Sequence, residues 1–184
     1  MRFRASEVAA AVGGELVGDD VTLDGATQDS RAVTPGCLFV PIVGGGDGHE
    51  FIAGALAAGA AGYLTECEPG PGTAIQVEDT GAALLALGAA ARGSLSGPVV
   101  GITGSVGKTS VKDLTRAVLA RRGPVHASHR SFNNEIGVPL TLLGAPGDGP
   151  VIVELGARHV GDIAALCEVA RPDIGVLTTV AVAH

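Results

Sequence analysis

Short apolar runs recur along the chain, separated by glycine, proline and small polar residues, and between them lie stretches whose apolar residues fall at helical spacing. Residues 6–12 predict a short helix with Ser6 as N-cap and Gly13-Gly14 as its stop. Strand-like runs follow at 15–17 and 21–26. Residues 27–36 form a polar loop that ends in a Pro-Gly turn. Residues 37–43 have the continuous apolar character of a buried strand, 49–59 suggest a helix, and 61–65 and 75–77 predict two more strands. An alanine-rich helix is expected over 79–92. After a break at Gly93-Ser-Leu-Ser-Gly-Pro98 the rhythm becomes more regular. A strand at 98–103 leads through a glycine-rich turn into a helix at 111–122, with Val111, Leu114, Val118 and Leu119 on one face. A strand at 125–129, a helical segment within 134–143, a strand at 151–154, a helix at 162–170 and a strand at 174–180 complete the series. Strands alternating with helices imply an α/β fold built on a parallel sheet.

Bulk properties narrow the class. The chain has 184 residues and is 46% hydrophobic, enough for one large domain or two small ones. With one Tyr, four Phe and no Trp, alanine, glycine and valine must fill the core by close backbone packing. The net charge of −7, without a basic run, argues against a nucleic-acid footprint. Cys37, Cys67 and Cys167 lack metal-type spacing and are expected to be reduced and buried, as in a cytosolic protein. The first residues carry Glu7 within a short apolar run, unlike a signal peptide, and no uninterrupted apolar stretch of about 18 residues suggests a membrane span.

The turn after the strand at 98–103 carries the strongest chemistry. Residues 101–110 read GITGSVGKTS, a glycine-rich loop ending in Gly-Lys-Thr at a strand-to-helix junction. Backbone N–H groups of Gly104, Ser105, Val106 and Gly107 can turn toward phosphate oxygens, with Lys108 against the β/γ-phosphates, Thr109 offering its hydroxyl to Mg²⁺, and Ser110 completing the loop. The spacing departs from the usual phosphate loop, because Ile102 stands where the first glycine is customary. Glu154 ends an apolar strand, which in an open parallel sheet puts it at the ligand edge and suits a metal role. His184, after another apolar strand, would lie at the same edge. Asn133 and Asn134 suit a polar ligand or, equally, an Asx turn and helix cap. Asp29, Ser30 and Arg31 are a compact polar cluster in which Arg31 could grip a phosphate or simply pair internally. Asp47-Gly-His49 is either a second such cluster or a capped helix start.

Taken together, TQDSRAVTPGCLFVPIVGGGDGHEFI, GITGSVGKTSVKD, SFNNEIGVPLTLL, VIVELGARHVGDI and RPDIGVLTTVAVAH resemble the Mur ligases of peptidoglycan synthesis, in order, from residue 27 to residue 184. The resemblance implies a small N-terminal α/β domain that binds the UDP-muramyl peptide, residues 1–95, and the first part of a P-loop parallel-sheet ATPase domain, residues 96–184. It implies ATP and Mg²⁺ as cofactors and an acyl-phosphate mechanism in the cytoplasm, carried out by a monomer. Glu-Leu-Gly-Ala at 154–157 resembles the Glu-Met-Gly segment of the branch that joins D-alanyl-D-alanine to UDP-N-acetylmuramoyl-tripeptide. Another amide ligase of the family, a non-catalytic module binding a UDP-sugar or ATP, and an ordinary P-loop kinase or GTPase, against which the upstream DSR and DGH segments speak, are the alternatives. The resemblance assigns Asp29, Ser30 and Arg31 to UDP binding and Asn133 and Asn134 to the substrate cleft. It assigns Lys108, Glu154 and His184 to catalysis, with Thr109, Glu154 and His184 as metal ligands. Thr-Val-Ala-Val-Ala-His departs from the family by lacking its usual Asn and Gly. The family's carbamylated lysine and its C-terminal domain are expected beyond His184, so the sequence is expected to be an N-terminal part that does not complete ligation alone.

Overall fold

The computed structural model describes residues 1–129 and 132–181. Its contacts group the chain into two compact units, Met1–Leu87 and Gly88–His184.

In the first unit, β1 (Arg2–Arg4) pairs antiparallel with β3 (Thr22–Asp24). Between them lie α1 (Ala5–Val12) and β2 (Glu15–Val17). Helix α1 starts two residues earlier than a cap at Ser6 implies: Arg4 is the N-cap, its N–H donating to the Glu7 carboxylate (2.7 Å), and Ser6 is an intrahelical residue whose N–H donates to Asp20 (2.9 Å). Its end is as expected, with Gly13 left-handed at φ 67°. A five-stranded sheet follows in the order β2-β7-β6-β5-β4. Here β4 (Ala26–Thr27), β5 (Leu38–Phe39), β6 (Gly62–Thr65) and β7 (Ala74–Gln76) are parallel, and β2 is antiparallel at the edge. The strand expected over 21–26 breaks at Gly25, where φ is +73°. That expected over 37–43 pairs regularly only at Leu38–Phe39, and Pro41 then has no N–H to offer. A 3₁₀ turn at Gly48–Phe51 leads into α2 (Ile52–Ala57). Cys37, Phe39, Ala55, Ala60, Tyr63 and Ala74 form the core beneath it, so two aromatic rings and several alanines suffice. Helix α3 (Thr80–Gly93) runs across the division between the units. Of the three cysteines, all free, Cys37 is buried as expected, Cys167 is half-buried and Cys67 is exposed, because Cys67 stands in the loop just past β6.

The second unit contains a parallel sheet in the order β11-β8-β10-β9. Its strands are β8 (Val99–Thr103), β9 (His126–Ala127), β10 (Val151–Glu154) and β11 (Ile174–Leu177). Helices α4 (Lys108–Leu119), α5 (Gly137–Leu143) and α6 (Asp162–Ala170) connect them. Val151, Ile152 and Val153 are all fully buried, which requires cover on both faces of β10 and explains why this strand reads as unbroken apolar sequence. Val100, Ile102 and Ile152 pack with Val111 and Leu119 of α4. Leu114 and Val118, expected on that inward face, are instead 67% and 69% exposed. The helix begins three residues earlier than its apolar pattern suggested, and the stripe turned to the sheet runs through Val111, Lys112, Thr115 and Leu119.

Candidate nucleotide site

Parallel pairing sets the ends of β8 and β10 side by side, with Glu154 opposite Ile102. The chain leaves β8 at Thr103, turns through Gly104–Gly107 and enters α4 at Lys108. Gly107, the N-cap, is left-handed at φ 90°, with open space where a side chain would stand. Gly104 has φ +135°, and a Cβ there would collide with the Thr178 hydroxyl and lie 2.9 Å from the Thr179 nitrogen. This loop is therefore held against the segment that follows β11. The Ser105 N–H donates to the Thr179 carbonyl (2.7 Å), the Ser105 hydroxyl donates to the Ala181 carbonyl (2.9 Å), and the Thr178 hydroxyl donates to the Val106 carbonyl (2.7 Å). Lys108 folds back to donate to the Gly104 carbonyl (2.6 Å). A ring of backbone at a helix N-terminus, with a lysine inside it, is the arrangement that receives an anion. Val106 is 65% exposed at the tip, and Ser110 is exposed in the first turn of α4.

Behind the loop, the Thr109 hydroxyl donates to Glu154 Oε2 (3.3 Å), which joins two residues 45 positions apart. Glu154 is 1% exposed. Its N–H donates to the Ser128 hydroxyl (3.1 Å), and its Oε1 accepts no hydrogen bond among the described residues. Lys112 Nζ lies 3.3 Å from that oxygen, near enough for an ion pair but not aligned as a hydrogen bond, so the contact is best read as electrostatic. A buried carboxylate whose Oε2 faces a threonine hydroxyl, while its Oε1 is turned to the Lys112 ammonium, presents Oε2 and that hydroxyl together as oxygen ligands for a hard divalent cation. Among the described residues no group of three or more His, Cys, Asp or Glu could surround a metal. Thr109 and Glu154 would be this segment's protein ligands, with water and phosphate oxygens supplying the others.

The remaining expected residues divide. His184 lies outside the described residues. Asn134 Oδ1 accepts the Gly137 N–H (2.9 Å), so its side chain closes the turn that leads into α5, two residues before the N-cap Ile136. The Asn133 carbonyl accepts the Gly156 N–H (2.7 Å), and its side chain lies where a Cβ on Gly156 would come within 2.9 Å, just past Glu154. In the first unit, Arg31 makes a forked pair with Asp29 (2.8 and 2.9 Å) while remaining 87% exposed. Those guanidinium hydrogen bonds, followed by the Arg31 N–H, hold the Asp29 carboxyl down to about 2. Ser30 starts the 3₁₀ turn that Asp29 caps. Asp47 likewise caps the turn before α2 and pairs with His49 Nδ1 (2.7 Å). His49 Nε2 accepts the Glu66 N–H (3.0 Å), which ties the ring to the loop after β6. Lys112, Ser128, Thr178 and Thr179 were not singled out in the sequence. Lys112 follows Lys108 by one helical turn, and the two threonines directly follow an apolar strand, which were the available signals.

Residues 102–184 match the Mur ligase middle domain family. The UDP-N-acetylmuramoyl-tripeptide–D-alanyl-D-alanine ligase of Escherichia coli (strain K12) is 42% identical over 183 residues, covering 97% of this chain and 40% of the relative. The ligase of the same name from Bacillus subtilis (strain 168) is 37% identical over 172 residues, covering 90% of this chain and 38% of the relative. Among solved structures, MurF from Acinetobacter baumannii superposes with a TM-score of 0.87 at 28% identity, over 96% of this chain and 41% of that one. MurF ligase from Thermotoga maritima in complex with ADP gives 0.73 at 35% identity, over 84% and 37%. The chain thus spans about 40% of the length of these curated relatives.

Proposed function

Because the chain belongs to the Mur ligase family, we propose that it supplies the nucleotide-binding loop and the muramyl-precursor domain of an ATP-dependent ligase that joins D-alanyl-D-alanine to UDP-N-acetylmuramoyl-tripeptide. One observation carries the reading: the Lys108 loop and the Thr109–Glu154 contact meet at the carboxyl edge of a parallel sheet. The relatives that share this segment carry that activity in their names.

In this reaction ATP phosphorylates the terminal carboxylate of the UDP-linked peptide, and the amine of D-alanyl-D-alanine displaces phosphate from the acyl phosphate. The protein contributes position and charge. The loop from Gly104 to Gly107 offers its remaining N–H groups to the β- and γ-phosphates, that of Ser105 being held by the Thr179 carbonyl. Lys108 exchanges the Gly104 carbonyl for phosphate oxygens and neutralises charge that develops on them. Thr109 and Glu154 would hold Mg²⁺, which supplies further positive charge to the same oxygens, and His184 would serve as a further ligand. Arg31, exposed on Asp29, would meet the diphosphate of the UDP group, with Ser30 beside it. Asn133 and Asn134 would line the peptide cleft. The reaction belongs in the cytoplasm, where ATP is, and a monomer suffices for it. No helix among the described residues is long and apolar enough to cross a membrane.

The test is phosphate release by the complete protein given UDP-N-acetylmuramoyl-tripeptide, D-alanyl-D-alanine and ATP. Release that depends on all three supports the reading; absence of release with every muramyl acceptor tried rejects it. Binding of the UDP precursor without turnover would instead favour a non-catalytic module.

A further inference from the structure

Lys112 lies on the inward face of α4 and is 4% exposed. Lysine is seldom buried so fully without a charge to answer it. Its ammonium lies 3.3 Å from Glu154 Oε1 and donates to the Ser128 carbonyl at 3.0 Å. Asp113, 3.6 Å away, is 62% exposed and contributes from the solvent side. The ammonium thereby divides the Glu154 carboxylate: Oε1 faces Lys112 and Oε2 faces the Thr109 hydroxyl at 3.3 Å. Ser128 links the two, since its hydroxyl accepts the Glu154 N–H while its carbonyl accepts from Lys112. The terminal torsion of a glutamate is broad, so a carboxylate that receives one hydrogen bond from Thr109 needs a second contact to stay turned.

We propose that Lys112 is a positioning residue of the nucleotide site, which fixes the Glu154 carboxylate with one oxygen toward Thr109 and balances its buried charge. The proposal rests on the nucleotide reading above. Lys112 acts through Glu154 and touches neither nucleotide nor ion. Removing the ammonium frees the carboxylate to rotate, and the divalent ion meets a ligand that must first be oriented. Where Glu154 has no charge, Lys112 has nothing to orient.

The experiment measures ADP affinity by calorimetry, with and without Mg²⁺, in the complete protein and in Lys112→Met, Glu154→Gln and the double variant. Lys112→Met is expected to cut the gain in affinity that Mg²⁺ brings by about tenfold, a coupling of ordinary size, and to leave Mg²⁺-free affinity within about threefold of the unsubstituted protein. The double variant is expected to match Glu154→Gln. A Mg²⁺ gain in Lys112→Met equal to that of the unsubstituted protein overturns the proposal. So does a double variant that falls below Glu154→Gln by the same factor, the signature of a residue that merely supports the fold. Should Lys112→Met fail to fold, Glu154→Gln against the double variant still decides, because the double variant leaves neither member of the pair charged. Failure of the unsubstituted protein to bind ADP is a separate outcome, which overturns the nucleotide reading and this proposal with it.

Discussion

Replacing Gly104 by alanine tests whether the phosphate loop is shaped by crowding or by backbone conformation alone. At φ +135° an alanine is strained, which costs about 1–3 kcal/mol. The added methyl also meets the Thr178 hydroxyl and lies 2.9 and 3.0 Å from the nitrogen and oxygen of Thr179. Thr179 cannot withdraw freely, because its carbonyl accepts the Ser105 N–H at 2.7 Å. Thr178 must rotate, giving up its hydrogen bond to the Val106 carbonyl (2.7 Å), a further loss of about 1 kcal/mol. Together these predict a destabilisation of about 2–4 kcal/mol. Gly107 is the control: its φ of +90° also strains alanine, but nothing stands within 4 Å of the new methyl. Gly107→Ala should therefore cost about 1–2 kcal/mol, the conformational part alone. Urea denaturation of both variants, following the transition that ADP shifts, measures the difference. A Gly104→Ala loss no larger than that of Gly107→Ala would refute the crowding argument.

Other expectations follow from single contacts. Lys108→Ala removes the ammonium that sits 2.6 Å from the Gly104 carbonyl, and calorimetry should find ADP bound at least about tenfold more weakly with the fold unchanged by circular dichroism. Burial holds His126 below its usual 6.5, and its Nε2–H donates to the Thr141 carbonyl (2.9 Å). The unfolded chain then takes up protons first, so stability is full above pH 6.5 and declines as pH falls below it; His126→Gln should flatten a plot of melting temperature against pH in that range. Asp29 has the lowered value of a paired carboxylate, so its contribution is present above pH 3.8 and lost as pH falls toward 2; Asp29→Asn should remove that step from an acid titration. Arg92 donates to the Ala170 and Arg171 carbonyls (2.9 and 3.0 Å) and pairs with Asp173 (2.9 Å), so Arg92→Ala should lower stability by about 2–3 kcal/mol in urea denaturation.

Local signals located much of this molecule. The helix at Asp162–Ala170 and the strand at Val151–Glu154 lie where their apolar periods put them, and the Gly13 stop and the Gly-Lys-Thr turn needed only residue types at fixed offsets. The start of α4 was harder, because its first turn is Lys-Thr-Ser, polar residues whose helical state is set by the loop before them. The same local view put Leu114 and Val118 inside and passed over Lys112, since an apolar residue is ordinarily the one that faces a sheet.

Sequence by itself determined the alternation of strand and helix, the phosphate loop, and the apolar strand that carries Glu154 to a sheet edge, because each depends on neighbours a few residues apart. Tertiary structure alone decided that Thr109 meets Glu154, that Lys112 is buried on that carboxylate, and that Thr178 and Thr179 brace the loop at Gly104. Those contacts join positions 42 to 75 residues apart. No local period encodes such distances. They exist because parallel strands paired in one register bring separate loops to a common edge, where a buried charge must find its partner.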